Sequence, residues 1–81
     1  MDSIALHILS PEGTLVDKTV SLVSLPGAYA PFTVLPGHAA LVTALVAGDI
    51  RYVADGQEFR QPIREGFVEV RNNQVNVCVE V

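Results

Sequence analysis

The chain has 81 residues, 49% of them hydrophobic, and a formal net charge of −4. This length allows one domain, and the composition is apolar enough to build a core rather than a disordered chain. Only five Lys and Arg residues are present, spread along the sequence. Nucleic acid is therefore not an expected partner, and neither is a charge-driven contact with a membrane, because both need clustered basic side chains.

No targeting segment, membrane span or disulfide is expected. The amino end, MDSIALHILSPEG, has an acid at Asp2 and no basic region, unlike a secretory signal. No apolar run approaches the roughly 20 residues that a bilayer span needs. The single cysteine, Cys78, excludes an internal disulfide and fits a reducing compartment. We expect a soluble chain, with any membrane association made through another protein.

The first third of the sequence predicts three short strands. Residues 3–10 alternate, and Ile4, Leu6 and Ile8 form one apolar face before a break at residues 11–13.

A second strand covers residues 14–16 and is predicted to end in a polar bend at Asp17-Lys18. Residues 19–25 predict a third strand with apolar side chains on both faces, which is typical of a strand buried between layers.

The middle of the chain contains two Pro-Gly pairs, Pro26-Gly27 and Pro36-Gly37, of the kind that reverses a chain. A loop reading PGAYAP and a short strand over residues 32–35 lie between them. His38 follows the second pair and leads into an apolar run. Residues 38–47 are the one stretch where a helical turn could be mistaken for a strand.

The last third predicts two hairpins. Asp55-Gly56 is a hairpin turn signal between strands at residues 50–54 and 57–64, and Pro62 confines the second of these to an edge or a bulge. Gly66 opens the final hairpin, whose strands, residues 67–71 and 74–81, flank a turn at Asn72-Asn73.

Turn signals recur about every eight to twelve residues, and no window has a sustained helical period. The sequence therefore predicts an all-β sandwich, a single domain over residues 1–81.

Catalysis and metal binding are not expected. His7 and His38 are the only imidazoles and lack the paired ligand spacing of a zinc site. The serines, at positions 3, 10, 21 and 24, lie in no nucleophile-elbow motif. Cys78 has the polar-facing register of its strand and is expected to be a packed small residue rather than a nucleophile. No Gly-rich phosphate loop is present, and so short a chain has little room for a cleft.

An interaction surface fits the sequence better than an active site. Tyr29 lies in the PGAYAP loop among residues too small to bury it, and tyrosine is a common contact residue. The alternative is that Tyr29 folds back over a sheet edge. Phe32, just beyond the loop, is expected in the core.

Consecutive segments of the chain resemble the epsilon subunit of F-type ATP synthases. The segments that carry this resemblance are LHILSPEGTL, VSLVSLPG, VLPGHAALVTAL, AGDIRYV and REGFVEVRNNQVNVCVE. The resemblance implies a flattened ten-stranded β-sandwich that binds the gamma subunit of the central stalk and rests on the c-ring. Such a rotor subunit transmits torque between proton flow and ATP chemistry and catalyses neither.

The resemblance also implies site residues. Ser10, His38 and Thr43 correspond to positions on the gamma-facing side. The loop that would meet the c-ring consists of Gly27, Ala28, Tyr29, Ala30, Pro31 and Phe32. No metal, cofactor, nucleotide or small-molecule ligand is implied, and the chain would lie peripherally on the cytoplasmic face of the bacterial inner membrane.

The chain departs from the family pattern in its loop. The family commonly has a glycine and an acid where this chain has Ala30 and Pro31, and a glycine where it has Thr33. We expect docking to the ring to depend more on shape and on Tyr29 than on charge.

The family also commonly continues into a carboxy-terminal helical hairpin that regulates hydrolysis and in some members binds ATP. The sequence ends at Val81. The corresponding expectation is an absence of helix-mediated braking and of nucleotide binding.

Two other functions compete with this one. The first is a free-standing β-sandwich module that binds a small ligand or another protein, for which a pocket lined by Tyr29, Tyr52 and Phe59 would be evidence. The second is a cupin-like metal enzyme, which the missing ligand spacing disfavours.

Overall fold

The structure is a computed structural model that describes residues 3–81. It is all-β, and its nine strands are β1 Ile4–Ser10, β2 Gly13–Val20, β3 Leu22–Leu25, β4 Phe32–Val34, β5 Leu41–Leu45, β6 Gly48–Ala54, β7 Gln57–Ile63, β8 Glu65–Arg71 and β9 Gln74–Glu80. A five-stranded sheet, sheet A, has the order β2-β1-β9-β8-β5, and a four-stranded sheet, sheet B, has the order β4-β3-β6-β7. The predicted β-sandwich is confirmed, with nine strands in the described residues where the resemblance implied ten.

The core lies between the two sheets and comes from the period of two in the strands. Ile4, Leu6 and Ile8 of β1 are buried, and so are Val75 and Val77 of β9. β1 and β9 pair in parallel, with Leu6 opposite Val75 and Ile8 opposite Val77. Each such aliphatic side chain contributes roughly 1.5–3 kcal/mol when fully removed from water.

The predicted bend at Asp17-Lys18 is wrong. β2 runs through both residues, which pair with His7 and Leu6 of β1. β2 is an edge strand, and only Val16 and Val20 along it are buried. The polar pair therefore indicated an exposed face of an edge strand rather than a turn.

The predicted single strand over residues 19–25 is also corrected. The chain leaves sheet A after Val20 and enters sheet B at Leu22, so two strands from different sheets meet at Ser21. The Ser21 N–H donates to the Val53 carbonyl of sheet B at 2.9 Å. The apolar pattern continues because both halves face the same core.

Both predicted hairpin turns are confirmed. Asp55 and Gly56 have φ of 52° and 76°, and Asn72 and Asn73 have φ of 51° and 59°. These values suit the type I′ turn, which matches the right-handed twist of the two strands. The prediction for Pro62 is confirmed as well, since β7 lies at the edge of sheet B.

The ambiguous stretch, residues 38–47, contains strand β5, and no helix occurs anywhere in residues 3–81. Accordingly, the described part of the chain has no helix that could cross a membrane. β5 forms the edge of sheet A and pairs with β8, Leu41 opposite Val70 and Leu45 opposite Gly66.

The two sides of the sandwich, where the edge strands of the two sheets approach each other, are held together by different contacts. On one side, Lys18 of β2 places its ammonium 4.1 Å from the ring centroid of Phe59 in β7, a favourable cation–π distance. Phe59 in turn stacks on Tyr52 with centroids 5.4 Å apart. On the other side, the loop after β3 bonds to the end of β5. This second side contains most of the sequence-predicted site residues.

Candidate functional site

The loop that follows β3 is tied to β5 by the backbone. Ala28 N–H donates to the Ala44 carbonyl and Val46 N–H to the Pro26 carbonyl, each at 2.9 Å. Between these bonds, Gly27 and Leu45 form an isolated bridge. The predicted ring-facing loop thus joins sheet B to the edge of sheet A, and its base is held by main-chain hydrogen bonds.

Gly27 permits this loop to fold tightly. A Cβ at this position would lie 2.5 Å from the Ala30 carbonyl oxygen and 2.9 Å from Cδ1 of Phe32. Real side chains do not approach backbone atoms this closely, so any larger residue would open the loop. Phe32 packs against the core in this arrangement, as the sequence predicted.

Tyr29 lies at the tip of the loop and is 97% exposed. It does not fold back over a sheet edge, so that alternative is excluded. It also lines no enclosed pocket with Tyr52 and Phe59, because Tyr52 is buried and covered by Phe59. The arrangement that would have favoured a small-ligand module is therefore not formed.

The three predicted gamma-facing residues do not form one cluster. Ser10 ends β1, where its hydroxyl donates to the Gly13 carbonyl at 3.2 Å and accepts from the Glu12 N–H at 3.3 Å. His38 lies beyond the opposite end of the sheet, next to the β8–β9 turn. The seven-residue strand β1 separates the two levels, which corresponds to roughly 20 Å between its first and last Cα atoms at 3.3 Å per residue.

His38 and Thr43 belong to the β5 side of sheet A. The His38 Nδ1 atom is 2.7 Å from the Ala39 carbonyl oxygen, so that nitrogen carries the proton and donates. Thr43 is opposite Val68, in the inward register of β5, and is half-buried at the edge of the sheet. A partner can therefore reach Thr43 only along the β5 edge of sheet A.

The outer face of sheet A carries a row of apolar residues that the sequence reasoning missed. Register pairs join Leu9 to Cys78, Cys78 to Phe67 and Phe67 to Ala44. We refer to these four residues as the apolar strip. Phe67 is 55% and Leu9 is 43% exposed. They could have been found from sequence as apolar residues in the outward register of strands whose inward register is already apolar.

Cys78 is exposed within this strip. Its outward register was predicted correctly, but its expected packing was wrong, because no part of residues 3–81 covers the outer face of sheet A. A shallow concavity of about 620 Å³ runs along the strip, and Ser10, Leu45 and Gly66 also line it. An uncovered apolar row of this kind is typical of a contact surface rather than of a solvated sheet face.

The outer face of sheet B has the opposite character. A row of register pairs joins Thr33 to Ser24, Ser24 to Arg51, and Arg51 to Arg60. Arg60 lies 3.4 Å from Asp49, and Arg51 lies 3.8 Å from Glu58. These are exposed ion pairs, which contribute little to stability but keep this face hydrated.

Groups that could support catalysis are dispersed. Within residues 3–81, no three His, Cys, Asp or Glu side chains converge where they could hold a metal ion. His7 lies 3.1 Å from Asp17 on the outer face of sheet A, with both side chains substantially exposed. The described surface is thus organised around apolar contact residues.

The sequence of residues 3–81 matches the family model described as "ATP synthase, Delta/Epsilon chain, beta-sandwich domain". The chain is 41% identical over 78 residues to the ATP synthase epsilon chain of Lawsonia intracellularis, an alignment that covers 96% of this chain and 59% of the relative. It is 42% identical over 82 residues to the ATP synthase epsilon chain of Campylobacter fetus subsp. fetus, covering 99% and 63% respectively. The chain spans about six tenths of the length of these relatives.

Solved structures share the fold. A chain in the cryo-EM structure of the Euglena gracilis mitochondrial ATP synthase (OSCP/F1/c-ring) superimposes with a TM-score of 0.88 at 20% identity, covering 95% of this chain and 50% of that one. A chain in the Tetrahymena thermophila mitochondrial ATP synthase central stalk/c-ring structure gives a TM-score of 0.80 at 13% identity, covering 96% and 63%. By the family match over residues 3–81, this chain belongs to the β-sandwich family of ATP synthase delta/epsilon chains.

Proposed function

We propose that this chain is a central-stalk (rotor) component of a proton-translocating ATP synthase. It binds the gamma subunit and the c-ring, and it couples proton flow to ATP synthesis without catalysing a reaction itself. The observation that carries the proposal is the family match along residues 3–81, together with relatives that are epsilon chains. No cofactor, nucleotide or metal enters this function.

The gamma subunit contacts the β5 side and the outer face of sheet A. Ser10 and His38 lie at opposite ends of that sheet, so a partner that touches both must extend along its whole length. The apolar strip crosses the sheet next to Ser10 and gives such a partner an area to bury. This supports an extended contact rather than one anchored at a single residue.

The c-ring contacts the loop Gly27–Phe32, with Tyr29 as its most exposed side chain. The two main-chain hydrogen bonds between the base of this loop and β5 tie it to the sheet that faces gamma. A force on the loop would therefore pass directly to sheet A. That connection suits a subunit that has to turn together with a stalk and a ring.

The chain would function on the cytoplasmic face of a bacterial inner membrane, held there by its partners. The support is that the relatives reported above are bacterial epsilon chains. Direct charge-driven lipid binding is disfavoured by the net charge of −4.

Co-expression with the gamma subunit encoded in the same genome tests the proposal. We expect a tagged chain to retain gamma in equimolar amount through affinity purification and gel filtration. Ser10→Tyr should reduce the retained gamma, because it places a large side chain at the predicted contact. Ser21→Tyr, at an exposed serine between β2 and β3, is the matched control and should not.

One outcome would contradict the rotor function, and a second would contradict only the assignment of Ser10. If the wild-type chain retains no gamma, the rotor function is wrong. If both serine variants retain gamma like the wild type, the function stands but Ser10 is not part of the contact.

A further inference from the structure

The charged residues of this chain are distributed unevenly. None of its five basic and nine acidic side chains lies between residues 19 and 48. His38 is the only imidazole in that stretch. An uncharged segment of this length would be ordinary in a buried region, but here much of it is at the surface.

The fold gathers the exposed part of this segment on one side of the sandwich. β4 and β5 are edge strands of sheets B and A, and the loop after β3 bonds to β5 between them. On the opposite side, β2 and β7 carry Asp17, Lys18, Glu58 and Arg60. The domain therefore has one charged and one uncharged edge.

We define the uncharged edge by Val42, Ala44 and Val46. Val42 and Ala44 occupy the outward register of β5, and Val42 is 72% exposed. Val46 follows in the same register and is 48% exposed. Ala28 is joined to Ala44 by a main-chain hydrogen bond, which makes the loop and the strand one continuous surface.

Two of the three carboxylates that border this surface, Glu69 and Glu80, lie near an arginine. Glu69 lies opposite Val42 across the β5–β8 pair, and its carboxylate is 3.7 Å from Arg71 of its own strand. Glu65, at the start of β8, faces Glu80, at the end of β9, and both lie next to the apolar strip. Arg64 approaches Glu80 at 4.0 Å.

We propose that the uncharged edge docks a partner surface that is itself uncharged and apolar, so that this contact is held by apolar burial without ion pairs. The inference rests on the proposed function, in which that partner is the gamma subunit. A charged partner residue placed here would lose its hydration and find no counter-charge among these three residues. Complementarity therefore selects an apolar partner surface.

The salt dependence of binding tests this inference. With the purified chain and purified gamma subunit, the Kd should change less than about threefold between about 50 mM and about 500 mM salt, because apolar contacts are not screened. A contact built on ion pairs would weaken by well over tenfold across the same range. A steep loss of affinity would overturn the inference.

Charge insertion at Val42 gives a second and independent test. Val42→Asp and Val42→Lys should each weaken gamma binding by more than about tenfold, since either charge would lose its hydration at the contact and the carboxylate opposite, Glu69, already lies near Arg71. Gln57→Asp is the matched control. It adds the same charge at an exposed position of β7, in sheet B on the opposite side of the sandwich, and should leave the Kd within about twofold.

The possible results distinguish failure of this inference from failure of the proposed rotor function. Binding that survives both Val42 variants, or that Val42→Lys strengthens, overturns the uncharged contact and leaves the rotor function intact. A wild-type chain that does not bind gamma overturns both. Thermal unfolding of each variant distinguishes lost binding from lost folding, and Val42 is exposed enough for both variants to fold.

Discussion

The Asn73 side chain accepts a hydrogen bond from the backbone N–H of Gly37, with 2.7 Å between Oδ1 and the amide nitrogen. The two residues are 36 positions apart in sequence, and each lies in a turn with positive φ, 59° at Asn73 and 86° at Gly37. The bond fastens the Pro36-Gly37 turn to the β8–β9 turn. It thereby fixes the start of the segment that holds His38.

Asn73→Gly should destabilise the domain through loss of this hydrogen bond alone. Glycine accepts the positive φ at this position, so no backbone strain is added. We expect a loss of about 0.5–1.5 kcal/mol in the free energy of unfolding, measured by chemical denaturation. Asn72→Gly is the control, because Asn72 also has positive φ but no side-chain hydrogen bond within residues 3–81. Equal effects of the two changes would contradict the prediction.

Gly66→Ala should destabilise the sandwich by about 1–3 kcal/mol, the usual cost of overpacking. A Cβ at Gly66 would collide with the Cys78 carbonyl oxygen of the neighbouring strand and lie 3.0 Å from Cγ1 of Val79. Backbone cannot move aside as a flexible side chain can. Glu65→Ala, one residue earlier and exposed, should change stability by less than about 0.5 kcal/mol in the same melts.

Ile50→Ala should remove a large share of the total stability. Ile50 is fully buried in β6, and truncating a buried isoleucine costs about 2–5 kcal/mol. The whole domain is expected to have only about 4–12 kcal/mol. Ile50→Val, measured beside it by urea unfolding, should cost about 0.5–1.5 kcal/mol. A similar small loss for both variants would mean that the core collapses around the missing atoms.

Tyr29→Ala should separate binding from folding. The ring is almost fully exposed, so its loss should alter the free energy of unfolding by less than about 0.5 kcal/mol. If the loop docks on the c-ring as proposed, co-sedimentation with the ring should fall clearly. Leu15→Ala, at an exposed apolar residue of β2 on the opposite side of the sandwich, is the control and should sediment like the wild type. Unchanged sedimentation of Tyr29→Ala would remove Tyr29 from the contact.

Much of the fold could be predicted because its signals are local. Asp55-Gly56 and Asn72-Asn73 predict hairpin turns, since each pair accepts the positive φ that the turn requires. Pro62 predicts an edge, since it has no N–H to donate into a ladder. In the same way, Tyr29 stands out among residues too small to cover it.

The errors arose where one local signal had two physical causes. Asp17-Lys18 is polar because β2 is an exposed edge, although polarity also marks turns. Cys78 was expected to be packed, but whether a second layer covers the outer face of sheet A is decided outside β9. The apolar strip was missed because its members come from four strands far apart in sequence.

By itself, the sequence determined most of the strands, the two hairpin turns and the inward-facing residues, because each depends on side chains only a few positions apart. The tertiary structure decided that β1 and β9 pair in parallel, that the chain changes sheets at Ser21, and that Ala28 bonds to Ala44. Strands of similar composition could pair with one another in several orders if only their local sequences mattered. Only the joint burial of both sheets and the hydrogen bonds between distant segments select one pairing, and with it the surface that a partner meets.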